Sequence, residues 1–256
     1  MGLRFASLGS GSRGNATLIE AGATRVLVDC GFSLAETRRR LARLALTPAD
    51  LDAILVTHEH GDHVRGVERL ARAAGCPVWC TPGTSAALGE PFATVEARFF
   101  SSHAPFRIGT LDVAPVPVPH DAREPAQFVF GYGGRRLGVL TDLGQVTEHV
   151  LRCFQGCDAL VLETNHDEDM LWNGRYPPVL KQRVGGRFGH LSNRQAAAFL
   201  AAAAPERLQC LVVAHLSEKN NRPNLAVAAI SRALGCDPDW VGVATQDGGC
   251  AWRSVA

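Results

Sequence analysis

Short apolar runs rich in β-forming residues recur along the chain, separated by turn residues. The first third contains three of these runs, LRFASL, NATLIEA and TRVLVDC. A stretch with helical spacing follows from Ala35 to Leu46, then another strand, DAILVT at 52–57, and a helix from about Asp62 to Ala74. This third of the chain is therefore predicted to consist of strands with interspersed helices.

The middle of the chain is predicted to be mostly strands, because Gly and Pro turns separate the runs PVWCT, VEARFF, LDVAPVPV, QFVFGYG and RRLGVLTD. Alternation resumes later, with buried strands at DALVLETN and LQCLVVAH. Helices are predicted for SNRQAAAFLAAAA (192–204), capped at Ser192 or Asn193, and for NLAVAAISRAL. Strand-rich blocks with interspersed helices predict two sheets with helices packed outside them.

Composition adds only broad limits to this picture. The chain has 256 residues, 46% hydrophobic and 20% charged, which is ordinary for a globular protein. One large domain and two domains are both compatible with that length, and since no linker is visible we predict a single domain over residues 1–256. The N-terminus shows no apolar stretch of signal-peptide length, so we expect a cytoplasmic protein with no membrane partner.

Charge and cysteine content narrow the partners and the compartment. A net charge of +1 argues against a strong overall field for nucleic acid, so any contact with a polyanion must be local. Cys30, Cys210 and Cys250 lie in or beside apolar runs, where a thiol acts as a small hydrophobe. Eight cysteines used in this way fit a reducing compartment without disulfides.

The stretch HEHGDH, residues 58–63, concentrates metal-binding side chains directly after an apolar strand. His58 and His60 are two apart, so in extended chain they project to one side and can bind one ion. Asp62 and His63 follow where the chain turns into a helix and can face a second ion. Glu59 alternates away and is not expected to be a ligand. Ligands of this type and density indicate a metal site rather than a polar turn.

At this stretch the chain resembles a known family, because THEHGDH matches the H-x-H-x-D-H signature of the metallo-β-lactamase superfamily. The opening segment SLGSGSRGNATLIEAGATRVLVDCGFS is similar to that superfamily's first strands and ends with Asp29 beside the metal loop. VPHDAREP, LGVLTDLG and VVAHLSEKNN resemble its later motifs. The resemblance implies an α+β, four-layer αββα sandwich of two mixed β-sheets with helices on both outer faces. It also implies that His120 and His215 are ligands and that Asp142 bridges two metals.

Within that superfamily, nearly the whole chain is similar to the YycJ/WalJ-like branch, to which DNA exonuclease activity is attributed. The segments that carry this likeness are HDAREPAQF, LETNHDEDML, YPPVLKQRVGGRFGHLSN and AHLSEKNN. A wider similarity to ribonuclease Z implies a proton-relay pair at Glu163 and His190. Leu162 stands where ribonuclease Z has a histidine, and no tRNA-binding insertion is recognisable, so tRNA specificity is not expected.

The resemblance implies a mechanism with two divalent ions, zinc or manganese, with iron compatible. His58, His60 and His120 would bind one ion, Asp62, His63 and His215 the other, and a hydroxide between the ions would be the nucleophile. Asp62 would orient that hydroxide. His190, held by Glu163, would protonate the leaving oxygen. The expected substrate is a phosphodiester of nucleic acid, DNA in the first place, cleaved from an end.

Substrate contacts are predicted from a basic run, Arg175 to Arg187, which contains no Asp or Glu. Arg183 and Arg187 precede His190 in this run, and the chain's two lysines, Lys181 and Lys219, flank the last two histidine motifs. These side chains either contact phosphates or are solvated helix faces. His166 is either a substrate-pocket residue or a cap, with Asp167, of the following helix.

Two other functions remain open from the sequence. A hydrolase of small substrates, a cyclic phosphodiester or a thioester, could use the same metal core, and it predicts a closed pocket instead of an open basic groove. A metal-binding protein without turnover is the second alternative, and the complete ligand set argues against it. The sequence does not address oligomeric state, and His103 and His149 match no motif.

Overall fold

Two β-sheets form the centre of the computed structural model, which describes residues 2–89, 92, 94–203 and 205–256. The strands of the first sheet are β1 (Leu3–Gly9), β2 (Ala16–Ala21), β3 (Thr24–Val28), β4 (Ala53–Leu55), β5 (Val78–Cys80), β6 (Ala97–Phe99) and β14 (Cys250–Val255). Their order is β14-β1-β2-β3-β4-β5-β6. The pairs from β14 to β3 are antiparallel and those from β3 to β6 are parallel, so the sheet is mixed.

The second sheet repeats this arrangement of parallel and antiparallel pairs. Its strands are β7 (Phe106–Ile108), β8 (Leu111–Pro117), β9 (Ala126–Tyr132), β10 (Arg135–Leu140), β11 (Ala159–Glu163), β12 (Cys210–Ala214) and β13 (Val241–Val243). Their order is β13-β12-β11-β10-β9-β8-β7. Strands β10 to β13 pair in parallel, so the chain leaves each of them at the same edge of the sheet.

Helices cover the outer face of each sheet. They are α1 (Leu34–Ala42), α2 (Gly61–Val64), α3 (Val67–Ala74), α4 (Pro82–Leu88), α5 (Glu148–Phe154), α6 (Glu168–Asn173), α7 (Pro178–Val184), α8 (Asn193–Ala202) and α9 (Pro223–Leu234). Three buried apolar clusters show the layers. Phe5 and Phe128 belong to the cluster between the sheets, Leu70 of α3 to the cluster outside the first sheet, and Phe199 and Ile230 to the cluster outside the second. The predicted αββα sandwich is confirmed.

The helix predicted from Asp62 to Ala74 is divided into α2 and α3 by Gly66. The amide of Gly66 donates to the carbonyl of Cys30, at 2.8 Å. A Cβ built at residue 66 would lie only 1.8 Å from the carbonyl oxygen of Phe32. Close backbone approach to the segment after β3 therefore requires glycine and interrupts the helix, which hydrophobic spacing alone does not reveal.

Other predicted boundaries differ less. The helix expected over 35–46 ends at Ala42, and Ala45 lies in the left-handed region with φ 58°. Ser192 is the cap of α8, since its hydroxyl accepts from the amide of Gln195, and Ala204 of that predicted helix lies outside the described residues. All eight cysteines are free. None of the described helices is both long and apolar enough to cross a membrane.

Candidate metal centre

The polar residues of the site lie where strands end. Asp29 follows β3 and HEHGDH follows β4, whereas Asp142, Glu163 and His215 stand at the ends of β10, β11 and β12. Because parallel strands end at one edge of their sheet, each sheet presents its residues to the same cleft. The topology therefore brings together side chains that are far apart in the sequence.

The first group of candidate ligands contains His58, His60 and His120, whose ligand atoms lie within 4.8 Å of one another. The Nδ1 of His60 is 3.3 Å from the Nε2 of His120. In two of these histidines, the ring nitrogen that faces away from the group is within hydrogen-bond distance of the protein. The Nδ1 of His58 is 2.9 Å from the hydroxyl of Thr57, and the Nδ1 of His120 is 3.1 Å from the carbonyl oxygen of Gly189. Three imidazole nitrogens thus lie close enough together to bind one ion.

The second group contains Asp62, His63 and His215. The Oδ2 of Asp62 is 3.5 Å from the Nε2 of His63 and 3.6 Å from the Nε2 of His215. Asp142 lies between the two groups, since its Oδ2 is 3.4 Å from the Nε2 of His63 and its carboxylate also clusters with His58. The structure therefore brings together all seven residues predicted as ligands.

Asp29 supports both groups from behind. Its carboxylate accepts hydrogen bonds from the amide and the hydroxyl of Thr57, both at 2.8 Å, and from the Nδ1 of His63, also at 2.8 Å. Burial lowers the pKa of His63, but the charges of Asp142 and Asp29 outweigh burial and raise that pKa well above its ordinary value. The carboxylate of Asp29, bound to the Nδ1 of His63, thus fixes the imidazole so that its Nε2 faces the cleft.

Glu163 performs a similar role on the other sheet and contacts two histidines at once. Its Oε1 is 2.9 Å from the Nδ1 of His190 and 2.9 Å from the Nδ1 of His215. Its Oε2 accepts from the backbone amides of Leu191, at 2.9 Å, and Leu143, at 3.3 Å. Burial raises the pKa of Glu163, but the charge and hydrogen bond of His190, together with those of His215, outweigh burial, so the pKa is lowered. Sequence reasoning predicted the contact with His190 and missed the one with His215.

Three buried polar atoms indicate that the site fits a cation. The Nε2 of His58, the Nε2 of His215 and the Oδ2 of Asp142 have no hydrogen-bond partner among the described residues. Unpaired buried polar groups cost free energy, so such atoms need another partner. Asp142 and His215 also adopt left-handed backbone conformations, with φ of 52° and 54°. Imidazole and carboxylate donors in strained, fixed positions suit divalent ions such as zinc, manganese or iron.

A cleft of about 380 Å³ opens above these residues. Its walls include Asp62, Asp142, His190 and His215, and α7 covers one side with Leu180, Arg183 and Val184. His190 keeps 21% of its side chain exposed, so its ring is accessible from the cleft while Nδ1 is bonded to Glu163. Of the predicted relay pair, His190 therefore borders the same space as the predicted ligands, and Glu163 is buried behind it.

The basic side chains predicted to contact substrate are dispersed. Arg183 lines the cleft but its Nε is 2.6 Å from a carboxylate oxygen of Asp121. Lys219 lines an adjoining cavity. Lys181 donates to the carbonyl of Trp172 at 2.7 Å, and Arg187 lies over the ring of Phe188; neither lines these two cavities.

His166 is buried, and burial lowers its pKa to about 4. Of the two alternatives left by the sequence, the capping belongs to Asp167, whose side chain accepts from the amide of Met170. His166 instead pairs through its backbone with Ser192, and it lines neither the cleft nor the adjoining cavity.

Sequence reasoning missed Asn15. Its Nδ2 lies 3.3 Å from the Oδ2 of Asp62 and 3.1 Å from the Nε2 of His63. Its Oδ1 accepts from the amide of Gly11, so the loop after β1 positions the amide over the second group. The GSGSRGN segment contained the signal, because a Gly- and Ser-rich turn between two buried strands permits close approach to another segment.

The fold and this site define the class of protein. Residues 24–212 match the family model described as the β-lactamase superfamily domain, and the chain belongs to this superfamily of metal-dependent hydrolases. The crystal structure of the metallo-β-lactamase fold protein YhfI from Bacillus subtilis superposes with a TM-score of 0.76 at 15% identity, covering 98% of both chains.

Particular relatives lie closer in sequence. The chain is 35% identical to exodeoxyribonuclease YycJ of Bacillus anthracis over 91% of its own length and 90% of the relative. It is 34% identical to exodeoxyribonuclease WalJ of Streptococcus pneumoniae over 88% and 86%. The ribonuclease Z of Methanopyrus kandleri is similar over only 21% of the chain. The predicted resemblance to the YycJ/WalJ-like branch is confirmed, and the more distant likeness to ribonuclease Z is partial.

Proposed function

We propose that the protein is a two-metal phosphodiesterase that degrades nucleic acid, DNA in the first place, as an exonuclease. The observation that carries this proposal is the pair of Glu163 and His190 at the edge of the cleft. Cleavage of a phosphodiester expels an alkoxide, which is a poor leaving group, and a positioned imidazole can protonate the departing oxygen. The names of the relatives in the YycJ/WalJ-like branch support the same substrate class.

His58, His60 and His120 would hold one divalent ion, Asp62, His63 and His215 the other, with Asp142 between them. When bound, such a pair of ions supplies a water with lowered pKa as nucleophile and neutralises phosphoryl charge. Zinc and manganese suit these donors, and iron is compatible with them.

Asp62 is the group of this chain placed to orient the attacking water. Burial raises its pKa, but the adjacent His215 and His63 imidazoles and their charges outweigh burial and lower that pKa, so the carboxylate stays ionised. Asn15 restrains the same carboxylate, which also lines the cleft. The carboxylate can therefore accept a hydrogen bond from a water and hold it in line with the phosphorus.

His190 is placed to donate a proton to the leaving oxygen. Its Nδ1 donates to the ionised Glu163, which fixes the orientation of the ring. When the ring is protonated, the Nε2–H is available to the leaving oxygen. Loss of the proton leaves a neutral imidazole that is reprotonated from solvent through the exposed part of the ring.

The alternative of a small-substrate hydrolase predicts a closed pocket. Instead, the cleft adjoins a second cavity of about 1020 Å³, and both are lined by Tyr176 and Leu180. A path that continues away from the metal centre favours a polymer over a cyclic phosphodiester or a thioester.

The test begins with measurement of bound metal, followed by assay of the zinc- and manganese-loaded protein. Substrates are labelled double-stranded DNA, single-stranded DNA, RNA, bis(p-nitrophenyl) phosphate and a thioester. We expect release of nucleotides from one end of DNA. Efficient cleavage of the thioester without cleavage of any phosphodiester would refute the proposal. His103→Ala is the matched control for His190→Ala, because His103 is exposed and does not line the cleft.

A further inference from the structure

The cavity that adjoins the metal cleft, termed the side cavity, lies between α6, the segment leading into α7 and the segment between β12 and α9. Its lining residues are Asp169, Met170, Asn173, Gly174, Arg175, Tyr176, Pro177, Leu180, Glu218, Lys219, Asn220 and Arg222. Tyr176 and Leu180 also line the metal cleft. A substrate strand with its scissile phosphate at the metal centre can therefore extend past Tyr176 into the side cavity.

The side cavity contains positive charge without a partner inside the protein. Across the described part of the chain, Arg175 and Lys219 form no salt bridge, and neither charged group has a hydrogen-bond acceptor. Of the two acidic residues in the lining, Glu218 is already paired, since both its oxygens accept from Arg13 at 3.1 and 2.9 Å. Two unpaired cations beside one unpaired carboxylate, that of Asp169, leave the cavity suited to an anionic chain.

Tyr176 is the aromatic residue at the entrance to the side cavity. It is half-buried, and the ammonium of Lys219 lies 5.6 Å from the centre of its ring. An aromatic ring beside a free cation is the combination that binds unpaired nucleotides, because a base can stack on the ring while the cation contacts a phosphate. Bases within a duplex are already stacked on their neighbours, so they have no free face for the ring.

Asn220 gives an independent indication that the side cavity can bind a ligand. It lines the side cavity and is only 2% exposed, yet its Nδ2 has no acceptor within the described residues. A buried amide donor without a partner costs free energy, and an oxygen of a base or a phosphate would satisfy it.

We propose that the side cavity binds the unpaired nucleotides next to the scissile phosphate, with a base stacked on Tyr176 and phosphates contacted by Arg175 and Lys219. This inference rests on the proposed function. It specifies a single-stranded end as the form in which nucleic acid enters the site, so a duplex substrate must fray before cleavage.

The first experiment measures binding of a fluorescent, phosphorothioate-linked oligothymidylate, which resists hydrolysis, to the metal-loaded protein by anisotropy. Tyr176→Ala should raise Kd about tenfold, the loss typical of one stacked base, whereas Tyr176→Phe should stay within about twofold of wild type. Phe99→Ala is the matched control, because Phe99 is an exposed aromatic at the edge of the first sheet. Thermal melting establishes that each variant is folded.

The second experiment uses salt dependence to test the cations. The double variant Arg175→Ala/Lys219→Ala should reduce the slope of log Kd against log salt by about 1.4, since each phosphate contact on a single strand contributes about 0.7. Arg69→Ala/Arg72→Ala is the control; it removes two exposed cations of α3, which do not line either cavity.

Failure of this inference and failure of the proposed function have different signatures. If wild type binds and cleaves DNA but Tyr176→Ala and the double variant behave like their controls, the side cavity does not bind substrate and only the inference falls. If wild type neither binds nor cleaves any oligonucleotide while hydrolysing the thioester, the proposed function falls and the inference with it.

Discussion

Replacement of Glu163 by glutamine is the sharpest test of how this site is held together. Within the described residues, the carboxylate accepts hydrogen bonds from four donors: the Nδ1–H groups of His190 and His215 and the amides of Leu143 and Leu191. A glutamine has one acceptor oxygen and one donor nitrogen. Because this position is fully buried, no orientation of the introduced glutamine can satisfy all four donors.

Each orientation has a definite cost. If the amide nitrogen faces the backbone, two amides lose their acceptor, at about 1–3 kcal/mol each. If it faces the imidazoles, the Nδ1 atoms must accept, which places the proton of His215 on Nε2, the atom that faces Asp62 and the predicted ion. Loss of such outer support typically costs about 10–100-fold in metal affinity, or about 1.4–2.7 kcal/mol. We therefore expect Glu163→Gln either to lose about 2–6 kcal/mol of stability or to bind one of the two predicted ions more weakly, or to show part of each effect.

The assays are zinc titration by calorimetry and urea unfolding in the presence of chelator. Glu148→Gln, an exposed glutamate in α5, is the matched control. Two equivalents of zinc bound with wild-type affinity, together with an unchanged unfolding midpoint, would refute the assignment of Glu163 as the shared support of His190 and His215.

Three further predictions follow from the same structure. His190→Ala should retain both ions but lose about 10²–10⁴-fold in phosphodiester cleavage, because the imidazole contacts Glu163 without being a predicted ligand; loss of metal would instead show a structural role. Removal of metal should lower Tm by roughly 5–10 °C, because a ligand at 100 times its Kd contributes about 2.7 kcal/mol to stability. An unchanged Tm would contradict a metal centre built from unpaired buried atoms. Hydrogen bonds from Arg39 and Arg40 lower the pKa of Glu36 to about 2. The ionised carboxylate therefore contributes roughly 0.5–1 kcal/mol to stability above about pH 4.5, and this contribution is lost as the pH falls through 2. The difference in unfolding free energy between wild type and Glu36→Gln should shrink over that pH range, and a constant difference would contradict the ion pairs as its cause.

Much of the site could be predicted because the chemistry is local. HEHGDH places four chelating side chains within six residues, and the geometry of a strand turning into a helix separates them into two pairs. The alternation of apolar runs and turns likewise predicts most strands, since it follows from the pleat of the backbone. Both signals depend on near neighbours in the chain and are readable without the fold.

Other features depend on contacts between distant segments. The break at Gly66 depends on how closely the segment after β3 approaches, and the position of Arg183 depends on Asp121, 62 residues away. The helical spacing and the basic run are genuine, but neither determines which groups pair across the cleft. The sequence therefore left open which cations are free to contact phosphate, whereas the structure pairs Arg183 with Asp121 and leaves Arg175 and Lys219 without a carboxylate or hydrogen-bond acceptor among the described residues.

The sequence by itself predicted the class of site: imidazole and carboxylate side chains, as candidate metal ligands, at strand ends of a two-sheet fold. Only the tertiary structure decided that one carboxylate, Glu163, supports both the predicted relay and a predicted ligand. The reason is physical. Strands β11 and β12 pair in parallel and end together, and this register, set by packing of the whole sheet, brings His215 to the oxygen that also holds His190.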